Sequence, residues 1–465
     1  MTSYQSVMAR KNEIMKKAVG IDYDRFEVEG CAFDYERMMR EVGYSLDEIK
    51  TIQRATRVGQ TPLIELRNIN RLIQQISPSG KGGRIFLKDE AVNPSGSFKD
   101  RRASVSVYQA AKMGYKGVIA ATSGNYGAAV ASQAAKFGLK CIIVQETFDS
   151  RFVGQPEIVE KARACEAYGA EVVQLSVGPE LFYYFLVLLE ETQYFNASLY
   201  TPFGIAGIET LGSEIGEQMK TLTGDYPDYV VVTHAGGGNL TGTARGLKRV
   251  GAQRTKFIAA SVDLRTLHMA SDIDFNRKSF TTGHTGFGIP FAVFPDRSDV
   301  PRNAARPLRY MDRYLTITQG EVFYTTEMLA QLEGLQRGPA GNTSLCAAIA
   351  LARKVPSGTT LVVQETEYTG AGKCPTAQLT FAKSNGIEVS YGHRTDSVPG
   401  KNILIPRSPE ELGYDEADMD ALRASYIKQV IKQYQKTRFS ETEKAFLQED
   451  CRIDRPTLEH LIEKD

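Results

Sequence analysis

The sequence predicts an α/β protein built from two open sheets, and two patterns support this class. Apolar runs of strand length alternate with segments of helix length, most clearly between residues 85 and 240, which is typical of largely parallel sheets. Four of the predicted strands also end in polar or glycine-rich loops. Open α/β sheets bind ligands outside the carboxyl ends of their strands, so we expect these loops to converge on one site.

Each predicted element follows from a short pattern of apolar and turn-forming residues. The predicted strands are Arg84–Lys88, Gly117–Ala121, Cys141–Val144, Glu171–Leu175, Asp228–Thr233 and Thr359–Gln364. The predicted helices run from Asp100 through Ala111, from Ala128 to Phe137, from Pro156 to Tyr168 and onward from Thr243. Gly138 and Gly169 end two of these helices, because glycine readily adopts the left-handed conformation that closes a last helical turn.

Length and composition favour an enzyme that acts on small molecules. The 465 residues are enough for about three domains with a large core. A balance of 56 basic and 55 acidic residues gives a net charge of +1, which argues against nucleic acid or a membrane surface as partner.

Two further features bear on metal sites and location. The six cysteines are too scattered to form a Cys/His metal site, so no metal is expected. The first 17 residues are polar, and the longest apolar run, Leu181–Leu189, is too short to span a bilayer. We therefore expect a cytoplasmic protein.

Lys99 is the first candidate catalytic residue. It lies within Asn93–Arg101, between a glycine-containing turn and the start of the helix predicted from Asp100. A lysine amine at such a junction is a candidate nucleophile for a carbonyl group. Taken alone, however, the motif also fits an ordinary solvated lysine, as most lysines are.

A second candidate site is the loop Gly236-Gly237-Gly238-Asn239-Leu240, which follows the strand ending at Thr233. Three residues without side chains let backbone N–H groups approach an anion, and the next helix N-terminus adds a partial positive charge. The loop is neither a dinucleotide fingerprint nor a Walker loop. It predicts a phosphate site, although a flexible turn would also explain the glycines.

Two more loops carry hydroxyl and amide groups. Residues 122–127, Thr-Ser-Gly-Asn-Tyr-Gly, could receive a carboxylate or a phenolic oxygen, or simply cap the following helix. Tyr368–Gly372 could present the hydroxyl of Thr369 to a ring nitrogen. A lysine, a phosphate site, an amide and a hydroxyl are together what pyridoxal phosphate requires.

With these motifs, the chain resembles the fold type II pyridoxal-phosphate enzymes, in particular their threonine synthase-like group. The motifs that carry the resemblance are Pro62–Leu66, Asn93–Arg101, Thr122–Gly127, Gly236–Leu240 and Thr369–Lys373. The resemblance implies two open α/β domains with the cofactor in the cleft between them. It places an N-terminal arm at 1–58, the larger cofactor-binding domain at 59–115 and 217–400, the smaller domain at 116–216 and a helical C-terminal extension at 401–465.

The same resemblance assigns roles to individual residues. Lys99 would bind the aldehyde of pyridoxal phosphate, Asn125 would contact its phenolic oxygen, and Thr369 would face the pyridine nitrogen, with Thr343 or Ser344 as alternatives. Phosphate would be held by Gly236, Gly237, Gly238, Asn239 and Leu240. The substrate carboxylate would be received by Thr122, Ser123, Gly124 and Tyr126.

Within that group the chain resembles most the family of thiolase β subunits that act on 2-amino-4-oxopentanoate in ornithine degradation. This implies cleavage of the substrate with coenzyme A to alanine and acetyl-CoA, a smaller α subunit as partner, and a homodimer of β subunits within a heteromer. The alternative is an elimination or replacement reaction on an amino acid, as in threonine synthase or an ammonia-lyase.

Some charged and aromatic residues have two explanations. Arginines cluster at positions 297, 302, 306, 309 and 313, and could bind the phosphates of coenzyme A, although a solvated, ion-paired loop is the commoner explanation. His234 and His284 flank glycine-rich turns and are candidate acid/base groups, but a lone histidine is more often structural.

Overall fold

The structure is a computed structural model that describes residues 3–122, 124–149, 151–176, 180–263, 292–296, 299–368, 370, 372, 374–436 and 438–464. Its helices are α1 (Tyr4–Ala9), α2 (Lys11–Val19), α3 (Tyr35–Val42), α4 (Leu46–Ala55), α5 (Arg67–Ile76), α6 (Lys99–Lys112), α7 (Asn125–Phe137), α8 (Pro156–Ala167), α9 (Glu180–Thr192), α10 (Pro202–Thr223), α11 (Gly238–Arg249), α12 (Gln319–Glu333), α13 (Pro339–Ala352), α14 (Pro375–Ser384), α15 (Met419–Tyr434), α16 (Glu441–Cys451) and α17 (Arg455–Lys464).

The strands are β1 (Glu27–Glu29), β2 (Ala32–Phe33), β3 (Leu63–Glu65), β4 (Arg84–Asp89), β5 (Gly117–Thr122), β6 (Lys140–Phe148), β7 (Glu171–Ser176), β8 (Phe195–Asn196), β9 (Tyr229–Thr233), β10 (Lys256–Val262), β11 (Met311–Ile317), β12 (Thr360–Glu365), β13 (Glu388–Tyr391), β14 (Asn402–Ile405) and β15 (Asp415–Glu416). All six strands predicted from the sequence are confirmed. Among the described residues, no helix is long and apolar enough to cross a lipid bilayer.

The larger sheet has seven strands in the order β15-β11-β10-β9-β12-β4-β3. Its five central strands are parallel, and the edge strands β3 and β15 pair antiparallel with them. Val230, Val231 and Val232 of β9 are fully buried, as expected of a strand with both faces covered. Because β4, β12 and β9 are parallel neighbours, the loops that follow them lie at one edge of the sheet.

The smaller sheet has four parallel strands in the order β7-β6-β5-β8. Val118, Ile119 and Ala120 of β5 are fully buried, so this sheet too is covered on both faces. The predicted class of two open α/β sheets is therefore confirmed.

The two helices that follow the candidate loops begin earlier than predicted. The helix expected from Ala128 begins at Asn125. The prediction of a helix from Thr243 was wrong by five residues, because α11 begins at Gly238, inside the glycine loop itself. Both loops therefore end directly in a helix N-terminus, where N–H groups without an intrahelical partner are concentrated.

Helix α10 packs closely against α6 and α11. A Cβ added to Gly207 of α10 would lie 2.0 Å from the Arg101 carbonyl oxygen. One added to Gly246 of α11 would lie 1.9 Å from the backbone carbonyl oxygen of Glu209. Glycine is thus required at both contacts, and α10 holds the helix of Lys99 beside the helix of the glycine loop. α10 also runs across the domain boundary that we placed between residues 216 and 217; the domain boundaries stay a prediction.

The C-terminal segment is less helical than expected at its start. Strands β14 and β15 occupy parts of residues 401–416, and the helices begin only at Met419.

The arginine cluster packs against this C-terminal segment. Arg306 and Arg309 are buried and both bind Asp450 of α16, and Arg313 pairs with a carboxylate of β15. Arg297 lies outside the described residues. The expectation of ion pairs holds for the four described arginines, but Arg302, Arg306 and Arg309 are buried rather than solvated, and all four already have protein partners.

Candidate active site

One cavity is lined by residues that follow the carboxyl ends of β4, β5, β9 and β12. Its walls include Lys99 after β4, residues 234–240 after β9, and Thr366 and Glu367 after β12. At the end of β5 they include Thr122, Gly124, Asn125 and Tyr126. Ser123 and Thr369 lie outside the described residues. The other predicted site residues are brought together on this cavity, with the exception of the two alternatives Thr343 and Ser344.

Lys99 is the first residue of α6. The turn before it contains Gly96 at φ +79°, a left-handed conformation that favours glycine. Its side chain is half-buried on the cavity wall, with Nζ 4.4 Å from the centroid of the Phe98 ring. An amine in this position can attack a carbonyl carbon or carry a proton.

Asp100 ties the turn before Lys99 to the helix. Its carboxylate accepts hydrogen bonds from the Ser95 backbone N–H at 2.6 Å and from Gln133 Nε2 at 3.2 Å. Burial raises the pKa of Asp100, against the opposing effect of these bonds.

Arg101 anchors the same turn to the larger sheet and to α10. Its fully buried guanidinium donates to both oxygens of Glu90 at 2.6 and 2.7 Å and to both oxygens of Glu214 at 3.0 and 2.8 Å. Lys88 also donates to Glu214, at 2.8 Å. Lys99 therefore projects from a helix start that a four-residue ionic network holds in place.

The glycine loop has no room for side chains. A Cβ on Gly236 would lie 2.0 Å from Tyr200 Oη, one on Gly237 would lie 2.6 Å from Pro307 Cγ, and one on Gly238 would lie 2.1 Å from Arg102 Nη2. These distances are well below van der Waals contact, so a side chain at any of the three positions would have to displace Tyr200, Pro307 or Arg102. The loop then continues directly into α11, as an anion site requires.

Asn239 and Leu240 fix this loop from behind. Asn239 Nδ2 donates to Gln364 Oε1 of β12 at 2.7 Å, and Leu240 is fully buried in the core below the loop. Both residues also reach the cavity wall.

The loop after β5 is organised by Thr122. Its Oγ1 accepts hydrogen bonds from the N–H groups of Gly124 and Gly127 at 3.0 and 3.2 Å, so the threonine hydroxyl orders the start of α7. Tyr126 turns its hydroxyl away to the Ala197 carbonyl oxygen. The Thr122 and Tyr126 hydroxyls are therefore both engaged within the protein.

Asn125 reaches across the cavity. Its Nδ2 donates to Glu367, which follows β12 of the larger sheet. The side-chain amide predicted to contact the cofactor's phenolic oxygen thus joins the two sheets at the cavity.

The hydroxyls of Thr343 and Ser344 do not reach the cavity. Both residues are fully buried in α13, where Thr343 donates to the Pro339 carbonyl oxygen at 3.2 Å and Ser344 to that of Gly341 at 2.8 Å. The structure thus gives no support to either as the partner of the pyridine nitrogen, and Thr369 stays a prediction.

Two buried acidic groups, Glu365 and Asp299, lie at or near the cavity wall and were not predicted from the sequence. Burial raises the pKa of Glu365 well above its usual value, and the neighbouring Glu367 and Asp89 act in the same direction. Burial also raises the pKa of Asp299 to about 6; this residue lines the cavity and accepts a hydrogen bond from Ser198 Oγ. Nothing in the local sequence marks these carboxyls, because their burial comes from distant segments.

Three further residues, Arg102, Tyr200 and His234, line the cavity wall. Arg102 and Tyr200 both flank the glycine loop and were not predicted. His234 also lines the cavity, with its ring edge-on to Tyr314 at 5.4 Å between centroids. His284 lies outside the described residues. A signal for Arg102 was available, since it follows Lys99 by one helical turn and so shares its helix face.

A lysine amine that faces a glycine-lined helix N-terminus, in a cavity between two open α/β sheets, defines a class of enzyme that binds a phosphorylated aldehyde. The chain belongs to the pyridoxal-phosphate dependent enzyme family, whose family model matches residues 55–366.

Two relatives match almost the whole chain. One, from an unknown prokaryotic organism, is named 2-amino-4-ketopentanoate thiolase beta subunit and is 63% identical over 97% of this chain and 96% of its own length. A protein of the same name from Acetoanaerobium sticklandii is 62% identical over 97% of this chain and 96% of its own length. The structure of O-ureido-L-serine synthase matches with a TM-score of 0.53 and 22% identity over 68% of this chain and 91% of its own, which shows the shared fold.

The residues of the cavity fit pyridoxal phosphate. Lys99 offers an amine for the aldehyde, and the glycine loop, which has no side chains of its own, offers backbone N–H groups at a helix N-terminus for the phosphate. Asn125 lies on the wall of the same cavity and offers a side-chain amide for the phenolic oxygen.

Proposed function

We propose that this chain is the catalytic β subunit of an enzyme that cleaves 2-amino-4-oxopentanoate, also called 2-amino-4-ketopentanoate, with coenzyme A to give alanine and acetyl-CoA. The observation that carries this proposal is the near-full-length similarity to two relatives of that name. A cavity that places Lys99 opposite the glycine loop supports it further.

Bound pyridoxal phosphate supplies an electron sink for a carbanion next to the amino-acid nitrogen. The chain's own residues would transfer protons and hold the substrate. Lys99 would move protons at the substrate's α carbon, because its amine lines the cavity at the start of α6. The loop between Thr122 and Tyr126 would receive the carboxylate through the N–H groups at the start of α7. Asn125 and Glu367 would limit how far the cavity opens.

The proposal includes partners and location. A smaller α subunit would complete the enzyme, in keeping with the beta-subunit name of the relatives, and two β subunits would associate within the heteromer. The pathway would be ornithine degradation. Cytoplasmic residence is also proposed, and six cysteines that all carry free thiols suit a reducing compartment.

The decisive experiment measures acetyl-CoA. The purified chain, alone and with its α partner, is mixed with 2-amino-4-oxopentanoate and coenzyme A, and we expect acetyl-CoA and alanine in equal amounts. A Lys99→Ala variant, mixed in the same way, is the matched control and should form neither product.

The runner-up reactions use other substrates. Release of phosphate from O-phosphohomoserine, or of ammonia from a diamino acid, with no acetyl-CoA in any combination of subunits, would refute the proposal and favour elimination chemistry.

A further inference from the structure

Arg102 is a buried cation that faces the glycine loop. It lies one turn after Lys99 in α6, is 1% exposed and lines the same cavity. Its Nη1 makes a long hydrogen bond of 3.4 Å to the Leu199 carbonyl oxygen, and its buried Nε makes none within the described part of the chain. Burial lowers the pKa of Arg102 to about 10, an effect that Tyr200 and Tyr126 partly offset.

The adjacent Arg101 shows what a buried arginine usually requires. Arg101 is equally buried but pairs with Glu90 and Glu214. Among the residues that the structure describes, no carboxylate lies within ion-pair distance of Arg102. A buried charge without a counter-charge is costly, and a guanidinium does not escape that cost by losing its proton near neutral pH. Arg102 therefore needs an anion that the described residues do not supply.

The geometry locates that anion. Arg102 Nη2 is the atom that a Cβ on Gly238 would approach to 2.1 Å, and Gly238 is the first residue of α11. The first N–H groups of this helix and the positive end of its dipole therefore share one small volume with the guanidinium.

We propose that Arg102 binds the phosphate of pyridoxal phosphate. A phosphate monoester carries between one and two negative charges near neutral pH and presents several acceptor oxygens, and the guanidinium fork matches them. The cofactor phosphate is thus held between a helix N-terminus on one side and a charged side chain from the lysine helix on the other. Arg102 also links the two elements that position the cofactor, since its helix begins with Lys99.

A substrate carboxylate is the competing anion. It is disfavoured because Arg102 faces Gly238, which lies on the loop after β9. The proposed site of the substrate carboxylate is instead the start of α7, after β5. The two sources differ in one measurable respect, because only the cofactor's anion can be removed by replacing pyridoxal phosphate with pyridoxal.

The test compares these two aldehydes. The cofactor is removed from the full-length chain with hydroxylamine, and the chain is titrated with pyridoxal phosphate and with pyridoxal while the absorbance of the bound aldehyde is followed. In Arg102→Met, affinity for pyridoxal phosphate should fall roughly 10- to 150-fold, the effect of one hydrogen bond to a charged group. Affinity for pyridoxal should change less than about threefold, because pyridoxal never had this contact.

Two variants serve as controls. Lys112→Met removes the same charge at the exposed far end of α6, so its affinity for both aldehydes should match that of the wild type. Arg102→Lys keeps the charge but not the fork, so its loss of affinity for pyridoxal phosphate should lie between those of the wild type and Arg102→Met. If Arg102→Met does not fold, as judged by circular dichroism, the lysine variant decides the question.

Three outcomes would overturn the proposal. The first is an equal loss for both aldehydes, which indicates a structural role. The second is an unchanged affinity for pyridoxal phosphate with weaker binding of alanine to the holoenzyme, which would assign Arg102 to the substrate carboxylate. The third is the same loss in Lys112→Met, which would assign the effect to net charge alone.

Discussion

Glu214→Gln should destabilise the protein more than any surface charge substitution on the same helix. Lys88 and Arg101 provide two buried positive charges, and Glu90 and Glu214 provide two buried negative ones. Glutamine preserves the shape of Glu214 but leaves this network with one uncompensated positive charge. Breaking a buried ion pair by removing one partner costs about 3–5 kcal/mol, a large part of the roughly 5–15 kcal/mol that stabilises a folded domain.

The matched control is Glu217→Gln. Glu217 lies three residues further along α10, is 51% exposed and binds Lys50 at the surface. Exposed ion pairs contribute about 0–1 kcal/mol. Urea unfolding followed by circular dichroism measures both variants, since the chain has no tryptophan to report by fluorescence. A loss below about 1 kcal/mol for Glu214→Gln, equal to that of the control, would refute the reasoning.

The stability that this ionic network provides should depend on pH. Burial alone would raise the pKa of Glu214, but Arg101 and Lys88 outweigh it and hold that pKa well below its usual range. A carboxyl with a lowered folded-state pKa contributes stability above its unfolded pKa of about 4.3 and loses it as the pH falls further. The difference between wild type and Glu214→Gln should therefore shrink below about pH 4.

Three further predictions concern the cavity. Borohydride reduction should fix the cofactor onto Lys99, as peptide mapping would show. A reduced adduct that still formed in a Lys99→Ala variant would contradict the assignment. Gly238→Ala would place a methyl group 2.1 Å from Arg102 Nη2, so its affinity for pyridoxal phosphate, measured by titration, should fall at least about tenfold. Asp299 has its pKa raised to about 6 by burial, so its own contribution to wild-type stability should decrease as the pH rises from about 4 to 6. Asp299→Asn should remove that decrease and gain up to roughly 3 kcal/mol at pH 7 in urea unfolding; an unchanged pH profile would contradict this.

The sequence was sufficient where local pattern determines structure. Strands such as Tyr229–Thr233 are short apolar runs that end in turn residues, and their positions were predicted within one or a few residues. Their parallel arrangement follows from the helices between them. Convergence of the strand ends on one cavity follows in turn from parallel pairing, which is why Lys99 and Gly236–Gly238 could be assigned to one site.

The sequence was insufficient where partners lie far apart. The arginine at 306 was expected in a solvated loop, but its partner Asp450 is 144 residues away, and only the folded chain shows that the pair is buried. The start of α11 was placed at Thr243 because the helix-forming residues begin there. In the structure the helix begins at Gly238, inside the glycine loop, because tertiary packing overrides the low helix propensity of glycine.

Arg101 and Arg102 show how far sequence reasoning extends. They are adjacent, identical in type and equally buried, so no local pattern distinguishes them. Successive helical residues point about 100° apart, and this rotation directs Arg101 to Glu90 and Glu214 but Arg102 to the glycine loop. Because a buried charge must be compensated, the arginine paired with carboxylates is structural, and the one with no carboxylate partner among the described residues marks where a bound anion belongs.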